Sequence, residues 1–150
     1  MTASTNPNPE QTTKSRRAIL PTIARILMGL AFTAFGLIGL LNLMPPPKTL
    51  PPGVGEFMAG LKATRYFFPL LFGTQLLVGI LLLLNRFVPL ALVLIMPVLT
   101  NIILYHIFLE PAGIVPGAIL MALDLYLAWV YRDAYRPLLT MRAKPGMRSN

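Results

Sequence analysis

The sequence predicts an all-α fold, a transmembrane antiparallel four-helix bundle with a short amphipathic helix in one long outer loop. The first observation behind this prediction is the composition: 55% of the 150 residues are hydrophobic and only 12% are charged. Ordinary soluble domains carry about 25% charged residues. So few charged side chains cannot cover a globular surface, and we therefore expect lipid to cover most of this protein.

The second observation is a set of four long apolar segments. A hydrocarbon layer of about 30 Å requires roughly 20 helical residues, and each segment is long enough to cross it, the second only just. None shows the wide polar stripe of a helix on the surface of a soluble protein. The predicted spans are residues 21–43, 67–84, 87–109 and 112–131, within one membrane domain at 19–139.

The two ends of the chain are predicted to be basic tails. Residues 1–18 are polar and expected to be disordered, and residues 140–150 form the second tail. The stretch SRRAIL at 15–20 resembles a twin-arginine export signal, but Arg25 interrupts the apolar region and no small-residue cleavage site follows. We therefore expect the first span to be retained.

The basic residues predict an orientation. With four spans, both termini and the turn at 85–86 lie on one side of the membrane. The other side holds Lys48, Lys62 and Arg65, which leaves the other ten of the 13 Lys and Arg on the first side. The positive-inside rule then places both termini in the cytoplasm. The net charge of +8 indicates orientation and attraction to anionic lipid, since no aromatic-interleaved basic motif for nucleic acid is present.

The outer loop, residues 44–66, has two different halves. Its first half is rich in proline and cannot be helical. Its second half places Val54, Phe57, Met58 and Leu61 at positions i, i+3, i+4 and i+7. This spacing predicts a short amphipathic helix that either lies on the outer membrane surface or caps the bundle.

Polar side chains inside the apolar segments are the candidate site residues, because in hydrocarbon they should face the protein interior. We predict a pocket with Asn101, Tyr105 and His106 at its outer end and with Gln75 and Asp124 beneath. An apolar ring with carbonyl oxygens, as in a quinone, suits such a pocket. Asn101 and His106 lie on different faces of the third helix, so both or only one could reach it.

A structural explanation of the same residues stays open. Gln75 and Asn101 would then join helices through hydrogen bonds worth on the order of 1 kcal/mol. His106 would be a residue of the membrane interface, and Glu110 would be solvated at the end of the third span. Under this interpretation the polar network holds no ligand.

The first span combines small residues with one arginine. Arg25, Gly29, Thr33 and Gly36 share one helical face, and small residues on a stripe allow membrane helices to approach closely. Helical rise places Arg25 and Asp124 in the same, cytoplasmic half of the membrane, which predicts an ion pair between them. The alternative is that Arg25 extends its side chain toward the membrane surface.

Several chemistries are excluded or disfavoured by the residue types. The chain has no cysteine, which excludes thiol redox chemistry and cysteine-ligated clusters. Its one histidine cannot supply a multi-histidine metal site or paired haem ligands. We therefore predict no metal site. No catalytic signature of a stand-alone enzyme is present, so whether the protein is an enzyme stays open.

The order of apolar segments and polar residues resembles the DoxX family over residues 19–139. The motifs that carry the resemblance are ARILMGLAFTAFGLIGLLN, YFFPLLFGTQLLVGILLLLNRFVPLAL, NIILYHIFLEPAG and LDLYLAWVYRDAYRPLL. It implies a four-span bacterial membrane protein, in a family linked to a subunit of an archaeal quinol oxidase and to membrane redox complexes. Arg25, His106 and Asp124 match polar positions of the family. Gln75 stands where members often carry glutamate, which weakens a proton-relay interpretation.

Two functions from different classes follow. The first is a redox-associated membrane subunit, with a quinone as the candidate cofactor and a redox enzyme as the partner. The second is a non-catalytic membrane protein that binds or moves a small molecule or lipid, or that scaffolds other proteins. In both cases the lipid bilayer is a partner, a homo-oligomer stays open, and nucleic acid is not a partner.

Overall fold

The computed structural model describes residues 9–44, 50–51 and 53–139, and this part of the chain contains helices and no strand. The predicted all-α class is confirmed. The elements are α1 (Pro9–Leu40), α2 (Val54–Ala63), α3 (Phe67–Leu83), α4 (Val88–Phe108) and α5 (Ile114–Val130), with short 3-10 helices at Pro111–Gly113 and Arg132–Leu139.

Three of the described helical segments are long and apolar enough to cross a membrane: Ile19–Leu40, Val88–Phe108 and Pro111–Val130. A fourth is added if α2 and α3, which meet at a bend of 88°, count as one span. Helix α3 alone has 17 residues, or about 25 Å at the α-helical rise. Length and composition therefore support a membrane protein with three or four spans.

Helix α1 begins earlier than the sequence predicted. It starts at Pro9, within the region 1–18 that was expected to be a disordered tail. Proline is well suited to the first position of a helix because its missing N–H has no helical partner there. The following Glu, Gln, Lys and Arg residues are good helix formers. Residues 1–8 and the C-terminal tail, residues 140–150, lie outside the described part of the chain.

Two helices end in the same way, at asparagines with positive φ. Asn42 follows α1 with φ 55° and Asn85 follows α3 with φ 54°. The amide of the next residue bonds back to the last turn in each case, Leu43 N to Ile38 O at 2.9 Å and Arg86 N to Leu81 O at 3.0 Å. This is the Schellman pattern, in which asparagine tolerates the left-handed conformation. The turn at residues 85–86 thus reverses the chain between α3 and α4.

Glycines bring α1 and α3 into close contact. A Cβ atom on Gly36 would lie 2.6 Å from the backbone nitrogen of Leu76. A Cβ atom on Gly29 would lie 2.9 Å from the side chain of Leu83. On the facing helix, a Cβ atom on Gly79 would lie 2.9 Å from the carbonyl oxygen of Gly29. The close approach expected from the small residues of the first span is therefore confirmed.

The core is apolar, and so is much of the surface of the long helices. Helix α1 contacts α3 and α5, and α4 contacts α3 and α5. The fully buried side chains at these contacts include Met28, Phe32, Val78, Leu82, Leu92, Ile95, Leu99 and Leu127. On the opposite faces, large residues such as Leu30, Leu90 and Trp129 are exposed. Helices that are apolar on every face are typical of a chain surrounded by lipid.

Replacing Gly79 by alanine should destabilise the protein because the new methyl group would push α1 and α3 apart. We expect a loss of about 1–3 kcal/mol, the usual effect of overpacking. Gly73 on the same helix is the matched control, since a Cβ atom there meets nothing within 4 Å. Gly73→Ala should be neutral or stabilise by about 0.5–1 kcal/mol. Thermal unfolding in detergent measures both variants, and equal melting temperatures would contradict the packing described.

Candidate functional site

A cavity of about 350 Å³ lies among the helices near the end where α2 is found, here called the α2 end. All five α-helices contribute to its wall. Most of the wall is apolar, and aromatic rings dominate it. The phenylalanines are Phe32, Phe35, Phe57, Phe67, Phe68 and Phe72. The volume lies within the range of sites that bind small organic molecules.

Four of the five predicted ligand-binding residues line this cavity: Gln75, Asn101, Tyr105 and His106. Asn101 and His106 both reach it, although they project from different faces of α4, because the cavity extends around more than one face of that helix. Asp124 is not part of the wall. It follows Gly117 and Leu120, which do line the cavity, and lies about one turn further along α5 from the α2 end.

Helix α2 closes the cavity at the α2 end. Phe57, Met58 and Leu61 line the cavity, and the neighbouring Val54 is buried. The ring of Phe57 lies 5.9 Å from that of Tyr105. Of the two predicted places for this helix, the structure favours the one that caps the other helices. Sequence reasoning left α2 out of the site, although the spacing of its apolar stripe was the signal that could have placed it there.

The aromatic wall of the cavity was not predicted from the sequence. Phe67, Phe68 and Phe72 begin α3, and the rings of Phe68 and Phe72 stack at 5.8 Å. Phe32 and Phe35 face the same cavity from α1. The cluster of aromatic residues at the start of α3 could have indicated an aromatic wall, but such clusters are also common in ordinary protein cores.

His106 is held by the turn between α4 and α5. Its Nδ1 lies 2.9 Å from the backbone carbonyl oxygen of Glu110 and 3.7 Å from the Oε2 of the Glu110 side chain. The ring lies against Gly113, where any Cβ atom would overlap it. Its edge meets the ring of Tyr105 at 5.0 Å. Backbone and packing together therefore fix the orientation of this imidazole.

Gln75 brings an unpaired polar atom into the wall of the cavity. Its side chain is 5% exposed, and its Oε1 has no hydrogen-bond partner among the described residues. A buried acceptor without a partner costs about 1–3 kcal/mol. A ligand hydroxyl at this position would satisfy it.

Arg25 and Asp124 do not form the predicted ion pair in this structure. The Nη1 of Arg25 donates hydrogen bonds to the carbonyl oxygens of Leu82 and Leu83 at the end of α3. Both carboxyl oxygens of Asp124 lack a hydrogen-bond partner within the described ranges. The guanidinium binds the helix end because the last carbonyls of α3 lie at its negative pole. The carbonyl oxygen of Leu82 also accepts a hydrogen bond from Asn85 N, and its second lone pair is left for the arginine.

Asp124 is fully buried and lies toward the Tyr135 end of α5. The hydroxyl of Tyr135, beyond that helix, donates a hydrogen bond to the carbonyl oxygen of Pro89 at 3.1 Å. Burial raises the pKa of Tyr135, and the negative charge of Asp124, when ionised, raises it further.

Within the described residues no group of three or more His, Asp or Glu side chains is placed to hold a metal ion.

Arg25→Met should destabilise the protein far more than Asp124→Asn. The first change removes a charged donor from the end of α3, with an expected loss of about 1.5–3 kcal/mol. The second removes no hydrogen bond, so the melting temperature should stay unchanged or rise. The double variant should show the sum of the two effects. Thermal unfolding of the wild type, the two single variants and the double variant measures these effects. A double variant that is no less stable than either single variant would indicate that Arg25 and Asp124 do form an ion pair.

No family model, curated protein or solved structure matches this chain. The resemblance to the DoxX family stays a prediction from the sequence motifs. What the protein does must therefore be inferred from its own residues, above all those of the cavity.

Proposed function

We propose that this chain is a DoxX-like, four-span membrane protein that binds a quinone-class ring in its cavity, as a membrane subunit associated with a redox enzyme. The observation that carries the proposal is the cavity wall, with six phenylalanines and only a few polar side chains. Aromatic and aliphatic walls suit an apolar ring, and a small number of placed polar groups fixes its orientation.

The polar groups of the wall suit the oxygen atoms of such a ring. The amides of Gln75 and Asn101 and the hydroxyl of Tyr105 can each donate a hydrogen bond to a carbonyl oxygen. They lie on two helices, α3 and α4, so they can meet different sides of one ligand. Because the surrounding helices carry apolar side chains on their outer faces, a lipid-soluble molecule could reach this cavity from the membrane.

The second candidate is a non-catalytic protein that binds or moves a lipid or another apolar molecule. It is favoured by the predominantly apolar wall, which an acyl chain could occupy as well as a ring. The two candidates differ in what the purified protein carries. A redox subunit should yield a quinone on extraction, whereas a lipid-binding protein should yield acyl-chain molecules.

The proposed arrangement in the membrane has four antiparallel spans, α1, α3, α4 and α5, in a bacterial inner membrane. Both termini and the turn at residues 85–86 would be cytoplasmic. The bend of 88° between α2 and α3 supports a place for α2 across the outer end of the bundle, with α3 crossing the membrane. The distribution of Lys and Arg supports the orientation.

A single cysteine at position 62 should react with a membrane-impermeant thiol reagent from the periplasmic side, and one at position 86 only after the membrane is opened. Lys62 and Arg86 are both exposed, and the chain contains no other cysteine. The unmodified chain is the control for background labelling. The reverse pattern, or equal labelling from both sides, would contradict the proposed orientation.

A short-chain naphthoquinone should bind the purified protein, and Asn101→Leu or Gln75→Leu should weaken its binding about five-fold each. The estimate takes one lost hydrogen bond at about 1 kcal/mol. Asp124→Asn is the control, because Asp124 does not line the cavity, and it should bind like the wild type. Binding can be followed by quenching of intrinsic fluorescence in lipid nanodiscs. Absence of quinone binding by the wild-type protein would contradict the proposed function. Equal binding by all variants would show that the quinone does not bind at Gln75 and Asn101.

A further inference from the structure

We infer that the cavity selects a ligand with a hydroxyl group at His106, so that it binds the reduced, dihydroxy form of a quinone-class ring more tightly than the oxidised form. The inference rests on the proposed function, since it concerns the same cavity. It adds the redox state of the ligand, which the outline of the cavity alone does not give.

The contact of His106 with the turn fixes the tautomer of its ring. Its Nδ1 lies 2.9 Å from the backbone carbonyl oxygen of Glu110. A carbonyl oxygen can only accept a hydrogen bond, so Nδ1 must carry the proton and donate it. In a neutral imidazole the other nitrogen, Nε2, is then an acceptor.

The Nε2 atom of His106 is left for a ligand. Among the described residues, the hydrogen bond of this ring is made at Nδ1, and His106 is part of the cavity wall. Its side chain keeps 17% of its surface exposed. A molecule that contacts Nε2 in the cavity meets a hydrogen-bond acceptor, and a carbonyl oxygen at the same point would face a second lone pair.

The other polar groups of the wall do not discriminate between a carbonyl and a hydroxyl on the ligand. A tyrosine hydroxyl donates or accepts, and the amides of Gln75 and Asn101 offer both a donor and an acceptor. Each can adapt to a carbonyl or to a hydroxyl on the ligand. His106 is therefore the group in the wall whose hydrogen-bonding role is fixed by the protein.

Gln75 supplies a second acceptor in the wall of the cavity. Its Oε1 is buried without a partner in the described part of the chain. Gln75 lies on α3 and His106 on α4. A ring with two hydroxyl groups could therefore place one at each acceptor.

The test compares three forms of one short-chain naphthoquinone on the full-length protein in nanodiscs, under anaerobic conditions. The reduced form has two hydroxyls, the oxidised form two carbonyls, and the dimethyl ether of the reduced form has neither donor. We expect the reduced form to bind at least ten-fold more tightly than the other two. A ten-fold preference raises the reduction potential of the bound two-electron couple by about 30 mV. A long-chain alcohol and a diacylglycerol serve as lipid hydroxyl controls and should bind more weakly than the reduced ring.

The matched variant is His106→Asn. The asparagine amide can still donate to the Glu110 carbonyl from a position near that of Nδ1, but nothing replaces Nε2. The preference for the reduced form over the ether should therefore fall to about two-fold or less, with the oxidised form bound as by the wild type. Thermal unfolding checks that the variant is folded, and the wild-type comparison with the ether stands without any variant.

The outcomes separate the two proposals. Equal binding of the reduced and oxidised forms would overturn the selection for a hydroxyl and leave the quinone site in place. Tighter binding of a lipid hydroxyl than of the reduced ring would assign the acceptor to a lipid and overturn both. Failure of every ring form to bind would also overturn both, and a preference unchanged in His106→Asn would overturn the role of Nε2.

Discussion

The contact between α1 and α3 is the constraint on which the rest of the structure depends. Gly29, Gly36 and Gly79 allow the two backbones to approach so closely that no side chain fits between them. Arg25 then binds the last carbonyls of α3, which fixes how far one helix can slide along the other. In lipid no hydrophobic force holds helices together, so close packing and buried hydrogen bonds must do so.

The cavity follows from this tight pairing. Helices α4 and α5 form a second close pair at Gly117, where a Cβ atom would lie 3.0 Å from Ile102. Toward the Asn85 turn the space between the two pairs is filled by core residues such as Met28, Leu82 and Leu92. Toward the α2 end no core side chain of the described residues fills the space between the two helix pairs. Phe57, Met58 and Leu61 of α2 line the cavity that remains there. The site is thus the part of the interior that the core side chains leave unfilled.

The helices could be predicted closely from the sequence because the thickness of a membrane fixes their length. The second predicted span, residues 67–84, differs from α3 at Phe67–Leu83 by one residue. The apolar stripe that begins at Val54 correctly predicted the short helix α2. The partner of Arg25 could not be predicted in this way. Helical rise gives the depth of a residue, but the carbonyl oxygen of Leu82 is a backbone atom that no side-chain pattern reveals. From depth alone, Asp124 was predicted to lie near Arg25. Because α1 packs against α3, the arginine side chain instead reaches the C-terminal end of α3.

The stretch YHIFLEPAG shows how local chemistry reaches the proposed binding site. Pro111 cannot continue α4, so the helix ends at Phe108 and the carbonyl of Glu110 is left outside it. Gly113 has no side chain, so the imidazole of His106 can fold back over the turn and donate to that carbonyl. The donation fixes the proton on Nδ1, and Nε2 becomes an acceptor at the cavity. In the proposed site, a proline, a glycine and one backbone oxygen would therefore decide which hydrogen-bonding group a ligand must present, although none of the three is a conventional ligand-binding residue.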